Sequence, residues 1–222
     1  MIMNVAAIIF DFDYTLADSS RGVITCINGA LKEMGLQEAD EDSIRKTIGL
    51  SLPRTLETLT GDSSEEGSRE FFRRFMHHAD RVMVDQTVLL PHVREVIGDL
   101  RTKGMRLGIV STKFRHRIET ILEREHLRDS FEVILGGEDV ARHKPDPAGL
   151  LRVIDDLKLP RETVLYVGDS VVDAETAHRA GVTFVAVLSG VTPRDAFSAS
   201  QHRAVLNELT ELRPFLNSVS QN

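Results

Sequence analysis

A change of period along the chain restricts its possible folds more than any other feature. From Pro91 onward, short apolar runs alternate with segments of helical spacing, whereas from about Ala17 to Val88 only helical spacing appears. The runs are Val5 to Phe10, Arg106 to Val110, Phe131 to Leu135, Thr163 to Val167 and Thr183 to Leu188. Each is rich in Val, Ile, Leu or Phe and barely alternates, as strands do when helices cover both sheet faces. One intervening helix starts at Pro91, carries Val93, Val96, Ile97 and Leu100 on one face, and stops at Gly104. Another takes Asp146 as N-cap and Pro147 as its first residue, with Leu150, Leu151, Ile154 and Leu157 forming its apolar face. A third runs from about Val171 to Gly181. The alternation predicts an α/β domain with a mainly parallel sheet.

The region from Ala17 to Val88 reads differently and contains no convincing strand. Val23, Ile27, Ala30, Leu31 and Met34 form one helical face, closed by Gly35. Leu52, Leu56 and Leu59 form a second, closed by Gly61. A third, following a capping box at Ser63 to Glu66, bears Phe71, Phe72, Phe75, Met76, Ala79, Val82 and Met83. The expected organisation is an α/β core over residues 1–16 and 89–222, interrupted by an all-helical lobe over 17–88. The lobe follows Asp13 closely, which suggests a cover over the strand ends. In the tail after Ser198, Leu206, Leu209, Leu212, Phe215 and Leu216 suggest a final helix.

Composition closes off several function classes. The net charge of -7 offers no broad basic field for nucleic acid or anionic lipid. One cysteine, Cys26, cannot form an internal bridge. No apolar run approaches a membrane span, and the start MIMNVAAIIF lacks the basic and small-residue flanks of a secretory leader. Together these features suggest a cytoplasmic protein with neither nucleic acid nor membrane as partner; oligomeric state is not legible.

Polar residues gather where the strands end. The first strand leads to Asp11-Phe12-Asp13-Tyr14-Thr15 and the second to Ser111-Thr112. The third leads toward Arg142-His143-Lys144-Pro145-Asp146, and the fourth to Gly168-Asp169-Ser170, with Asp173 four residues beyond Asp169. In an open parallel sheet these carboxyl ends form the ligand crevice. Asp11, Asp13, Asp169 and Asp173 would then converge against one Lys144, an arrangement that calls for a cation or for protonation. Oxygen ligands favour a hard divalent ion, most simply magnesium. A phosphate ester suits such a site: one carboxylate can attack phosphorus while a neighbour moves protons.

DFDYTL, Ser111 after LGIV, Lys144 in HKPDP, and GDSVVD resemble, in order, the four motifs of the haloacid dehalogenase-like hydrolase superfamily. The general layout and the Ser-Thr-Lys at 111–113 look most like its phosphoglycolate phosphatase-like members. The resemblance implies a Rossmann-like core with an inserted helical cap, and a magnesium-dependent phosphatase of small phosphorylated metabolites working through an aspartyl-phosphate. It makes Asp11 the nucleophile and a metal ligand. Asp13 becomes the acid/base, with its carbonyl on the metal. Ser111 and Lys144 become the phosphate-oxygen holders, with Lys144 also steadying Asp11. Asp169 becomes a metal ligand, and Asp173 an orienter of metal-bound water. Tyr14 departs from the pattern, because glycine is commonest there, and this bears on access and loop shape.

Substrate contacts could also come from Thr112 and Lys113 in the core, and from Arg45, Lys46 and Arg54 in the lobe. His77 and His78 read as surface residues, and His143 as a loop histidine. A phosphomutase of the same superfamily and an inorganic pyrophosphatase are the alternatives. A dehalogenase would leave Asp13 without a role, and a phospho-receiver module would place its acidic pair and its phosphorylated Asp on different strands.

Overall fold

The computed structural model describes residues 4–221. Strand β1 (Ala7–Phe10) leads through the two-residue β2 (Ala17–Asp18) to four helices, α1 (Ser20–Glu33), α2 (Glu41–Arg45), α3 (Leu52–Thr60) and α4 (Glu65–Val82). The chain returns by β3 (Val88–Leu89) and then alternates: α5 (Val93–Thr102), β4 (Arg106–Val110), α6 (Arg115–Arg124), β5 (Val133–Leu135), α7 (Ala148–Asp156), β6 (Val164–Gly168), α8 (Val171–Ala180) and β7 (Thr183–Val187). It closes with β8 (Ala204–Leu206) and α9 (Leu212–Gln221). The described residues form two compact units: the chain up to Ala17 with Leu89 onward, and Asp18–Val88.

The first unit is the expected α/β fold. Its six strands lie in the order β5-β4-β1-β6-β7-β8, and every pair is parallel. β1 is the topological switch: the chain builds outward on one side through β4 and β5, then on the other through β6, β7 and β8. Ala7, Ile8, Ile9 and Phe10 are all fully buried, which is why the first run shows no alternation. Ile9, Val153, Tyr166, Ala177, Phe184 and Phe197 belong to one cluster that joins the sheet to its helices.

The second unit is all helical. Cys26, Ile27, Leu31, Ile44, Leu56, Phe71, Phe75 and Met83 make its core, with Cys26 fully buried. The Ser64 side chain accepts from the Gly67 N–H to start α4, and Gly61 in a left-handed conformation ends α3.

Several boundaries differ from the sequence reading for local reasons. The cap of α4 is Ser64 rather than a Ser63–Glu66 box, because the third helical residue is then Gly67, which has no side chain to reciprocate. Helix α7 starts at Ala148 with Pro147 as its N-cap, and the Asp146 carboxylate accepts from the Ala148 N–H. Phe72 is exposed rather than part of the helical core. Leu206 lies in edge strand β8, not in the last helix. Two-residue β2 and β3, which pair with each other, and the single-turn α2 are too short to carry a period. No helix among the described residues is long and apolar enough to cross a membrane.

Candidate active site

The switch at β1 brings the carboxyl ends of β4, β1 and β6 side by side. The Asp11 N–H donates to the Val167 carbonyl, so the first residue after β1 is still fastened to β6. The Ser111 N–H likewise donates to the Leu135 carbonyl at the end of β5. Asp11, Asp13, Ser111, Lys113, Asp169 and Asp173 are all buried.

Three carboxylates, not four, form the acidic cluster. Asp11, Asp169 and Asp173 each offer an oxygen within 4.8 Å of the others. The Asp13 carboxylate is engaged instead by a second lysine, with Lys113 Nζ 3.1 Å from its Oδ1. Lys144 Nζ lies 2.9 Å from Asp11 Oδ1 and 2.7 Å from Asp173 Oδ1. Four buried carboxylates against two ammonium groups leave a formal excess of two negative charges.

That imbalance appears in the proton affinities. Burial pushes the Asp11 carboxyl up to about 7, against the pull of Lys144 and with help from Asp173. Burial also holds the Asp169 carboxyl well above the usual range, reinforced by Asp173 and Asp11. Burial alone would lower the Lys144 ammonium, but Asp11 and Asp173 hold it well above its ordinary value. An all-oxygen donor set with an excess of two negative charges fits a hard divalent cation.

Asp173 differs from the other two. Its Oδ1 accepts from Lys144 Nζ and, at 2.8 Å, from Tyr166 Oη; its Oδ2 accepts from Ser170 Oγ at 2.6 Å and from the Ser170 N–H at 3.2 Å. Four donors on about four lone-pair positions leave little for a metal. Two glycines permit the crowding. A Cβ on Gly168 would come within 2.5 Å of Asp173 Cγ, and one on Gly190 would strike the Asp169 carboxylate.

The loop after β1 turns sharply. The Leu16 and Ala17 N–H groups both donate to the Phe12 carbonyl, and Tyr14 has a φ of 59°. That is the left-handed region, where a side chain costs about 1–2 kcal/mol and glycine nothing. The usual glycine therefore answers a backbone demand. Here Tyr14 meets it with a buried side chain, and its carbonyl accepts from Ser189 Oγ.

Of the remaining sequence candidates, Thr112 lies in the Ser111–Lys113 loop, half-buried. Arg54 belongs to the helical unit, where it is exposed and pairs with Glu57 at 3.1 Å; Arg45 pairs there with Glu41. His78 bonds Glu33, and His143 is half-buried, its basicity lowered by burial. Sequence reasoning placed Ser170 at a strand end without a role, and missed Tyr166, Gly190 and the pairing of Lys113 with Asp13. Tyr166 carried a signal: it bears the one polar tip among the four residues Val164–Val167, and a buried phenol needs a partner. Gly190 carried none.

A phosphoglycolate phosphatase from Salmonella typhimurium is 29% identical over 97% of this chain and 94% of its own. One from Aquifex aeolicus is 33% identical over 82% of this chain and 84% of its own. Among solved structures, a protein from Bacteroides fragilis assigned to the haloacid dehalogenase-like hydrolases superposes with a TM-score of 0.92 at 43% identity, covering 94% of this chain and 99% of that one. A predicted phosphoglycolate phosphatase from Haemophilus somnus gives 0.84 at 25% identity, covering 97% and 99%. Residues 8–187, which include every strand-end residue of the site, match the haloacid dehalogenase-like hydrolase family, and the chain belongs to that family.

Proposed function

We propose that the protein is a magnesium-dependent phosphatase of small phosphorylated metabolites, phosphoglycolate-like monoesters among them, and that Asp11 carries the phosphoryl group between the two half-reactions. The observation that carries this reading is the position of Asp11. It stands at the end of β1, paired with Lys144 at 2.9 Å and grouped with Asp169 and Asp173. The names of its relatives point to the same substrate class.

In this reading an Asp11 carboxylate oxygen attacks phosphorus as the ester oxygen leaves, and Asp13 donates the proton that converts the leaving alkoxide to an alcohol. Asp13 then takes a proton from water as the water oxygen attacks phosphorus. The bond to Asp11 breaks, releasing inorganic phosphate and restoring the carboxylate. Ser111 and Lys144 hold phosphate oxygens, and Lys144 keeps Asp11 oriented and favours its charged form against the effect of burial. Asp11, Asp169 and the Asp13 carbonyl are the proposed magnesium ligands, with Asp173 bracing the site from behind through its bonds to Lys144, Tyr166 and Ser170. Bound magnesium would supply charge neutralisation at the phosphoryl oxygens. The helical unit is assigned to substrate discrimination.

The test is phosphate release from a broad panel of phosphorylated metabolites, with magnesium and with excess chelator. Magnesium-dependent hydrolysis of a small monoester, lost in Asp11→Asn, supports the reading; hydrolysis indifferent to chelator refutes it.

A further inference from the structure

Lys113 is a long, flexible cation with almost no exposure: its side chain is 4% accessible, and that of Asp13 8%. Its ammonium reaches both Asp13 oxygens, at 3.1 Å and 3.2 Å. Burying and ordering a lysine costs side-chain freedom and desolvation unless a charged partner compensates. The backbone beneath it is held on two sides. The Lys113 N–H donates to Ser111 Oγ at 3.3 Å, and its carbonyl accepts from the Gly137 N–H at 3.1 Å. Gly137 fits there only because it has no Cβ, which would run into the Thr112 carbonyl.

The two lysines therefore divide three of the four acidic residues between them. Lys144 serves Asp11 and Asp173, while Lys113 serves Asp13, the one carboxylate of the four outside the Asp11–Asp169–Asp173 cluster. Asp13 follows Asp11 by two residues on a tight loop. Without its own cation, the carboxylate would be drawn to Lys144 or to a metal at the cluster.

We propose that Lys113 is a positioning residue that keeps the Asp13 carboxylate apart from the Asp11–Asp169–Asp173 cluster and aimed for proton transfer to the leaving group. The proposal rests on the phosphatase reading, with its protons balanced as above: Asp13 gives one to the departing alkoxide and regains one from the attacking water. Lys113 itself exchanges none.

A side chain that serves only proton donation matters in proportion to how badly the leaving group needs the proton. Lys113→Met should lower kcat for simple alkyl phosphates by about 100-fold or more, within the range of general acid catalysis. For 2,4-dinitrophenyl phosphate, whose phenolate leaves unaided, the loss should stay below about tenfold. KM should move little across the series, and Lys113→Arg should recover part of the alkyl rate. In an Asp13→Asn background, Lys113→Met should no longer change the alkyl-to-aryl ratio. If Lys113→Met does not fold, the Arg variant and its Asp13→Asn counterpart decide by the same ratio.

An equal loss for alkyl and dinitrophenyl esters would overturn the proposal. So would a rise in KM at constant kcat, which would make Lys113 a substrate contact. If the wild type with magnesium releases phosphate from no ester in the series, the phosphatase reading falls and this inference with it. A working wild type with an unchanged leaving-group dependence in the variant overturns the inference alone.

Discussion

Replacing Asp11 by Asn removes a charge that the buried site holds at a cost, and the cost depends on pH. Burial lifts the Asp11 carboxyl from its ordinary 3.8 to about 7. Below about pH 4 the group is protonated in the folded and unfolded chain alike, and Asn is a near isostere. Between about pH 4 and 7 the unfolded chain ionises while the folded one keeps its proton. The stability conferred by the raised affinity is thus complete below the unfolded value and is lost as pH rises through the folded one. From pH 5 to 8 the interval spans about two pH units of that loss. At about 1.4 kcal/mol each, the advantage of Asp11→Asn in chelator should grow by about 3 kcal/mol. For a chain of this size that corresponds to about 6–12 °C in Tm. Thermal unfolding of both proteins at pH 5 and pH 8 measures it. Magnesium at 100 times its Kd should return about 2.7 kcal/mol to the wild type at pH 8, and less to a variant that lacks one ligand. A difference between the two proteins that does not change with pH would refute the account of Asp11 as a buried, charge-crowded carboxylate.

Other perturbations follow from the same geometry. Chelation should abolish turnover and magnesium should restore it, whereas calcium should inhibit because its larger, looser shell misplaces the attacking carboxylate; assays with each ion check this. Gly190→Ala must displace the Asp169 carboxylate, so the magnesium concentration for half-maximal activity should rise at least about tenfold while overpacking costs about 1–3 kcal/mol. An unchanged magnesium titration would contradict the assigned role of Asp169. Replacing Asp18–Val88 with a short linker should flatten relative kcat/KM across a metabolite panel while leaving some aryl phosphate hydrolysis; an unaltered profile would place recognition in the α/β unit.

The parallel sheet was legible because β1, β4, β6 and β7 are buried on both faces and read as unbroken apolar runs. The strand-end aspartates were legible because an α/β sheet puts its ligands there. The electrostatic partition was not. A lone Lys113 after Ser111-Thr112 looks like a surface or substrate-facing lysine, and nothing local says that it turns inward to Asp13. Tyr166 sits inside an apolar strand run, and nothing local says that its hydroxyl ties Lys144 to Asp173. Gly190 is remote in sequence from the carboxylate it accommodates, so its role exists only in three dimensions. Tyr14 is the converse case: its departure from glycine was visible, and the positive φ shows what the usual glycine answers.

The central claim is that Asp11 becomes covalently phosphorylated. Enzyme quenched during turnover of a small phosphate monoester and reduced with borohydride should convert an acyl phosphate at position 11 to homoserine, identifiable by peptide mass spectrometry. The account predicts homoserine at position 11 in the wild type under turnover, with none in substrate-free enzyme and none in Asp11→Asn. Sustained turnover with unmodified Asp11, or with the reduced residue at Asp13 or Asp169, would contradict it.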